Sequence, residues 1–166
     1  MPFFVHRLLQ LGEVCPAHFC YMVSGCSITD PTHPMTRMSL VGCDHIVPQD
    51  IGLLTRQGIE SYERTEAFEW AKRRGNPHAA IPALQQFKLS YAKLLADYGL
   101  MVQAKSYVDT IRTCTGLGFV GDKRDEARKR RYYSEQFEED LEIFEDRLCC
   151  ALRIPSSMEQ RREAKK

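Results

Sequence analysis

The sequence lacks the features that would assign it to a membrane, to a secretory route or to a strongly charged partner. No apolar run approaches the roughly 20 residues that a helix needs to cross a bilayer. The first residues carry no basic segment, and Arg7 and Glu13 interrupt the stretch that would form the apolar part of a signal peptide. The formal net charge is only +1, so no overall field attracts nucleic acid or an anionic membrane. These absences predict a cytosolic protein whose seven cysteines are reduced thiols.

The sequence also lacks the patterns of a catalytic, cofactor or metal site. The residues that could bind a metal near the start of the chain are Cys15, His18, Cys20, Cys26, Cys43 and His45. They contain no C-x-x-C pair, and Cys15 and Cys20 would diverge by about 140° around a helix. A Cys/His nucleophile would need a base and an orienting third group, and no pattern singles out such a set. We therefore predict no catalytic residue, no cofactor, no metal and no small-molecule substrate, and we interpret the cysteines as buried structural residues.

One local pattern occurs twice, with its landmarks 87 residues apart. Each copy ends an apolar helical stretch at a glycine (Gly12 or Gly99) and places an alanine (Ala17 or Ala104) inside the next apolar segment. Glycine adopts the left-handed conformation that ends a helix at little cost, and alanine lets two helices approach closely. The pattern predicts an all-α fold, an α-solenoid of antiparallel helix hairpins, and such stacks usually bind other proteins.

Apolar spacing predicts two more helices in the middle of the chain. The first runs from about Leu54 to Arg74, with Tyr62, Trp70 and Ala71 as buried anchors. The second begins at Pro82, with Gln85, Gln86, Lys88 and Lys93 largely on its outer side and an inner face made of Leu84, Phe87, Tyr91, Leu94, Leu95 and Tyr98. Residues 26–53 form a long connection, in which Met38 to Val41 is predicted to be a short extended segment.

The C-terminal part of the chain has a different composition. Glycines at 116, 118 and 121 lack the following lysine and Ser/Thr of a phosphate loop, so they indicate a hinge. We predict a solenoid domain over 1–121, an amphipathic basic-acidic helix over 122–154 and a disordered tail over 155–166. The acidic half of that helix keeps a 4-3-4 apolar spacing, which predicts a seam for one partner helix: Phe137, Leu141, Phe144 and Leu148.

The basic run at 123–131 allows three interpretations. Because an acidic stretch follows it, a solvated helix is the most common role of such a run. Basic residues beside Tyr132 and Tyr133 could instead bind phosphates and bases, or an acidic partner, which is the alternative function. The third interpretation is a contact with anionic lipid, worth about 1 kcal/mol per basic residue near the surface.

Four blocks of the sequence, in order, resemble one protein family. They are Gly12 through Tyr21, Leu40 through His45, Arg64 through Ala71 and Phe87 through Ile111. The chain is similar here to the Sec-sixteen family, the large scaffold proteins of endoplasmic-reticulum exit sites, in the second half of their central domain. The similarity extends over roughly residues 5–112.

This resemblance implies an α-solenoid of the ancestral coatomer element type, without catalytic activity and incomplete at its N-terminal end. It implies a scaffold in endoplasmic reticulum to Golgi transport that organises COPII coat assembly at exit sites, in the cytoplasm and peripheral to the membrane. The family's blade and front helices, which bind a propeller subunit of the Sec-thirteen type, have no counterpart here, so the resemblance does not extend to that partner. The core of the family-like region is predicted to contain Ala17, Phe19, Tyr21, Trp70, Phe87, Tyr91, Leu95 and Ala104.

Overall fold

The computed structural model describes residues 2–44, 55–76, 79–116 and 133–155. These residues form α-helices and connections and contain no β-strand, which confirms the predicted all-α class. The helices are α1 (Pro2–Gln10), α2 (Val14–Val23), α3 (Arg56–Gly75), α4 (Pro82–Asp97), α5 (Met101–Thr115) and α6 (Glu135–Leu152). Within the described ranges, no helix combines the length and the apolar character needed to span a bilayer.

The two predicted glycine boundaries have the same geometry. Gly12 and Gly99 both adopt left-handed backbone angles, with φ of 76° and 80°. After α1, Gly12 N–H donates to the Leu9 carbonyl and the next amide donates to the Leu8 carbonyl, at 3.0 and 2.9 Å. The equivalent pair of bonds closes the end of α4, where both distances are 2.9 Å. Each end is therefore a Schellman motif, which satisfies the last carbonyls of its helix and turns the chain sharply.

The described residues divide into two compact units, Met1–Leu84 and Gln85–Lys166, with the division inside α4. In the first unit α1 packs against α2. Its buried apolar side chains come from the helices and from the connection between α2 and α3: Val5, Ala17, Ile28, Met38, Leu40, Cys43, Tyr62, Ile81 and Leu84.

The connection between α2 and α3 is held by polar bonds rather than by a strand. Met38 to Val41, predicted to be extended, forms bends and a turn, with Met38 and Leu40 completely buried. The Val41 N–H donates to Thr65 Oγ1 at 2.8 Å, and the Gly42 N–H donates to His18 Nδ1 at 3.0 Å. Because these amides are satisfied by side chains, the segment needs no partner strand.

In the second unit a core forms mainly between α5 and α6. Ala104, Val108 and Ile111 of α5 belong to one buried cluster with Leu89 of α4 and with Tyr133, Phe137, Leu141 and Leu148. The ring of Tyr91 in α4 meets the ring of Tyr107 in α5 edge-to-face, with centroids 5.3 Å apart. The packing of α1 on α2 and of α5 on α6 is therefore the main helix–helix contact within each unit, and the stacked hairpins of a solenoid stay a prediction.

Several burial predictions are wrong. Phe19 and Trp70 are each 63% exposed, and Tyr98 and Ala71 are exposed as well. In α3 the reason is visible in the buried face, which is largely polar and consists of Gly58, Ser61, Tyr62, Thr65 and Glu69. The Glu69 carboxylate accepts a 2.9 Å bond from the Ile81 N–H, so a charged residue occupies the buried position that Trp70 was expected to fill.

The predicted inner face of α4 is also rotated relative to the observed one. Leu84, Gln85, Lys88, Leu89 and Ala92 are the buried residues of this helix. Phe87, Tyr91 and Leu95 are only half-buried, as is Tyr21 in α2. The apolar spacing predicted that the large rings of Phe87 and Tyr91 are buried. The structure instead buries the amide of Gln85 and the long side chain of Lys88.

Candidate partner-binding groove

The second unit contains an open groove on its surface. It has a volume of about 590 Å³ and lies where the end of α4, the start of α5 and one face of α6 meet. Its lining consists of Lys93, Ala96, Asp97, Met101, Asp140, Ile143, Phe144, Arg147, Leu148 and Ala151. The α6 residues span 140–151, which corresponds to about 16 Å along a helix. We call this surface the α6 groove.

The α6 groove has an apolar floor and a charged rim. The floor packs directly on the α5–α6 core. Leu148 belongs to that core, and three partly buried residues contact it: Ala96, Met101 and Phe144. On the rim, Lys93 Nζ lies 3.4 Å from Asp140 Oδ2 and joins α4 to α6. The Gln136 side chain, followed by the charge of Lys93, lowers the pKa of Asp140. An apolar floor with an ionic rim is the usual architecture of a groove that receives an amphipathic helix.

Two further rim charges have opposite signs. Asp97 lies on the α4 side and Arg147 on the α6 side. Neither side chain makes an ion pair within the part of the chain that the structure describes. A partner segment could therefore add a cation at Asp97 and an anion at Arg147 without displacing an existing pair.

A buried ionic cluster holds the helices that form the groove. Glu145 of α6 is 3% exposed, and its Oε2 accepts hydrogen bonds from Nε and Nη2 of Arg112, at 3.0 and 2.7 Å. Its Oε1 lies 3.5 Å from Lys105 Nζ, and Lys105 also donates to Asp109. Charge-assisted bonds to one carboxylate from two turns of α5 fix the register of α5 against α6.

This cluster shifts the pKa of two neighbouring groups. Burial by itself would lower the pKa of Lys105, but the hydrogen bond to Asp109 and the charges of Asp109 and Glu145 outweigh it and raise that pKa. Burial also raises the pKa of the Cys149 thiol, against an opposing effect of the Lys105 charge. Both shifts favour the protonated forms. Lys105 therefore keeps its positive charge, and Cys149 stays a neutral thiol, as a structural cysteine does.

No metal centre assembles in the described ranges, where no group of three or more His, Cys, Asp or Glu residues could hold an ion. Cys15 is exposed, Cys20 and Cys26 are half-buried, and Cys43 is buried. His45 lies outside the described residues. His18 is buried and its Nδ1 accepts the Gly42 amide, so it anchors the α2–α3 connection.

The predicted apolar seam is largely covered by the chain itself. Phe137 and Leu141 are buried in the core with α5, so they could contact a partner only if α6 left α5. Phe144 and Leu148 instead line the floor of the α6 groove. Of these four residues only Phe144 is partly exposed, because Leu148 also belongs to the buried core.

The rim of the α6 groove was not predicted. Lys93 was assigned to the outer side of its helix, and Asp97, Asp140 and Arg147 carried no pattern that would single them out. The available signal was the spacing of four and three residues along α6 that puts Asp140, Phe144 and Arg147 on one face, but it does not reveal which helix lies opposite. The basic run 123–131 lies outside the described residues, so its interpretations stay predictions.

Residues 3–162 match the protein family described as the Sec16 Sec23-binding domain. This match extends over nearly the whole chain. The chain belongs to the Sec16 family. The resemblance to the Sec-sixteen scaffolds, inferred from four sequence blocks, is thereby confirmed.

Relatives in animals and plants show the same similarity. The chain is 39% identical over 100 residues to protein transport protein Sec16B of Rattus norvegicus, covering 60% of this chain and 9% of the relative. It is 34% identical over 104 residues to Sec16A of Homo sapiens, covering 63% and 4%. It is 31% identical over 110 residues to the SEC16B homolog of Arabidopsis thaliana, covering 66% and 8%. The chain therefore spans less than a tenth of the length of these Sec16 relatives, and no solved structure matches it significantly.

Proposed function

We propose that this chain is a non-enzymatic, protein-binding module of a scaffold that organises COPII coat assembly at endoplasmic-reticulum exit sites. The observation that carries the proposal is the match of residues 3–162 to a domain family described by its binding of Sec23. Relatives named as protein transport proteins support the same process. The module would act in the cytoplasm, peripheral to the endoplasmic-reticulum membrane.

The partner that we propose is the Sec23 coat subunit, and the surface is the α6 groove. The groove offers an apolar floor, two rim charges without ion pairs in the described ranges and a framework fixed by Glu145. Such a surface suits a short amphipathic segment of a partner, because apolar anchors supply affinity and rim charges supply orientation. Binding of a propeller subunit is not part of the proposal.

The test uses two isoleucines with similar exposure. Ile143 lines the groove and is 47% exposed, whereas Ile154, 41% exposed, follows the end of α6 and does not line the groove. We expect purified Sec23 to bind the chain in calorimetry, and Ile143→Asp to weaken that binding by roughly tenfold or more. Ile154→Asp is the matched control and should bind as the unmodified chain does.

Two results would contradict the proposal at different levels. If Sec23 does not bind the unmodified chain, the assignment of the partner fails. If Sec23 binds all three proteins equally, the partner is right and the α6 groove is the wrong surface. Circular dichroism of each variant verifies that the helices remain folded.

A further inference from the structure

One titratable side chain holds a buried part of the connection between α2 and α3. His18 of α2 is 1% exposed, and its Nδ1 accepts a hydrogen bond from the Gly42 N–H at 3.0 Å. An imidazole nitrogen accepts only when it carries no proton, so this bond requires the neutral ring with its proton on Nε2. We call this bond the imidazole latch. It lies within the first unit and shares no residue with the α6 groove.

The segment held by the imidazole latch is buried. Its side chains Met38, Leu40 and Cys43 are 0%, 0% and 1% exposed. A second bond, from the Val41 N–H to Thr65 Oγ1 at 2.8 Å, holds the same segment to α3. A threonine hydroxyl does not titrate in the physiological range, whereas an imidazole does. Of these two bonds, the imidazole latch is therefore the one that acid can break.

Protonation would reverse the polarity of the imidazole latch. A proton on Nδ1 would turn the acceptor into a donor that points at the Gly42 N–H, so the bond would become a contact between two donors. The Arg64 guanidinium adds to this cost, because its Nη1 lies 2.9 Å from the position that a Cβ of Gly42 would occupy. An imidazolium at His18 would thus be buried, would lack its backbone partner and would lie on the same side as a second positive charge.

Other titratable and charged groups flank the imidazole latch or lie on the elements packed around it: His6, Arg7, Cys15, Tyr21, Arg37, Asp44, Glu60 and Arg64. Two of these groups are carboxylates. Glu60 is bonded to Arg64 at 3.0 Å, so its charge is already paired. Asp44 is half-buried and follows Gly42 by two residues, so an experiment must separate its contribution from that of His18.

We propose that the imidazole latch is an acid-sensitive switch, which holds residues 38–43 at neutral pH and releases them when His18 is protonated. The latched form binds fewer protons at His18 than the released form, in which the ring meets water. Release is therefore favoured as the pH falls below about 6.5, the ordinary pKa of histidine, by up to about tenfold per pH unit. It would expose the apolar side chains of Met38 and Leu40 and the thiol of Cys43, so mild acid changes what the first unit presents to a partner.

Thiol labelling of the full chain measures release at a defined residue. Cys43 and Cys149 are both buried, at 1% and 2% exposed, but Cys149 lies in the second unit and serves as the internal control. The probe is a dithiodipyridine, a disulfide reagent that labels thiols at neutral and at acidic pH, and mass spectrometry of peptides assigns each labelled site. We expect the labelling rate of Cys43 relative to that of Cys149 to rise about tenfold between about pH 7.5 and about pH 5.5.

Three substitutions identify the group that titrates. His18→Asn keeps an acceptor oxygen near the position of Nδ1 but cannot gain a proton there, so its labelling ratio should not change with pH. His6→Asn, at an exposed histidine, is the matched control and should keep the full change. Asp44→Asn should keep it as well, because the switch is assigned to His18.

The outcomes separate the switch from general unfolding in acid. A labelling ratio that rises in the unmodified chain and becomes independent of pH in His18→Asn supports the proposal, whether that variant is labelled slowly or fast. An unchanged ratio in the unmodified chain, or the same rise in His18→Asn, would overturn it. So would loss of the rise in Asp44→Asn alone, which would assign the titration to Asp44. Faster labelling of Cys149 together with loss of helical circular dichroism would show global unfolding and would also overturn the proposal.

Discussion

Arg112 donates two hydrogen bonds to a single carboxylate oxygen of Glu145, and this contact joins α5 to α6. Both side chains are largely buried, with 13% and 4% of their areas exposed. Removing either partner leaves a charge with reduced solvation and no full counter-charge. The pair is therefore the point at which the second unit should be most sensitive to a single substitution outside its apolar core.

We predict that Glu145→Ala lowers the free energy of unfolding by about 3–5 kcal/mol. The reason is that Arg112 and Lys105 lose their shared carboxylate while they stay buried beside each other. Urea unfolding of Glu145→Ala, Arg112→Ala and the double variant measures the coupling, which we expect to be about 1–3 kcal/mol. Glu139→Ala, on the exposed side of α6, is the control and should change stability by less than about 0.5 kcal/mol. A coupling near zero would show that the pair does not hold the helices.

We predict that the contribution of Lys105 to the stability of the fold is lost at alkaline pH. Its pKa in the folded chain lies above the ordinary value of 10.5 because the hydrogen bond to Asp109 and the charges of Asp109 and Glu145 outweigh the effect of burial. Its stabilising contribution is complete below the unfolded pKa and is lost as the pH rises through the folded pKa. Thermal melts should show the difference between the unmodified chain and Lys105→Gln shrinking above about pH 10.5. Lys72→Gln, at an exposed lysine, should show no such narrowing, and equal behaviour of the two variants would contradict the assignment.

We predict that replacing Gly99, which ends α4, destabilises the fold through backbone conformation alone. A Cβ added at Gly99 would meet no atom within 4 Å, yet its φ of 80° is unfavourable for any residue with a side chain. Gly99→Ala should therefore lower the free energy of unfolding by about 1–2 kcal/mol. Gly12→Ala should behave in the same way, because its φ is 76° and the space around it is also open.

Gly75 is the matched control for these two positions. It also has open space around its Cα, but it lacks a left-handed φ. Gly75→Ala should leave stability unchanged or raise it by up to about 1 kcal/mol, because alanine restricts the unfolded chain. Equal effects of all three substitutions in guanidinium unfolding would show that the helix ends do not depend on the left-handed conformation.

We predict that His18 protects the connection between α2 and α3 from local opening and hydrogen exchange. Its Nδ1 accepts the buried amide of Gly42, so His18→Leu should leave that N–H without a partner, at a cost of about 1–3 kcal/mol. Hydrogen exchange should accelerate at Gly42 more than at residues of α1. His6→Leu, at an exposed histidine, is the control and should leave exchange at Gly42 unchanged. Unaltered exchange in His18→Leu would mean that other contacts hold the segment.

The sequence predicted those parts of the fold that depend on neighbours along the chain. The two glycine ends and the helices between them follow from local conformational preferences. Ala17 and Ala104, the equivalent small residues of the two copies, are both completely buried. The family was also recognisable from short ordered blocks, because such blocks preserve residue identities and not only their polarity.

Prediction failed where burial depends on a distant segment of the chain. Trp70 looked like a core residue by its size, but Glu69 occupies the buried position because the Ile81 amide is there to donate to it. Phe137 and Leu141 were predicted to form a seam for a partner helix, but the structure shows that they are buried in a core with α5 of the same chain. The α6 groove was unpredictable for the same reason, since its rim combines residues from distant parts of the chain.

The amino-acid sequence by itself determined that helices end at Gly12 and Gly99, that the fold is all-α and that the chain belongs to the Sec16 family. These properties follow from local backbone energetics and from residue identity, which the sequence contains directly. The tertiary structure alone decided which side chains are covered, which charges meet at Glu145 and which surfaces stay open to a partner. Burial and ion pairing depend on distances between segments that are far apart in sequence, and those distances exist only after the chain has folded.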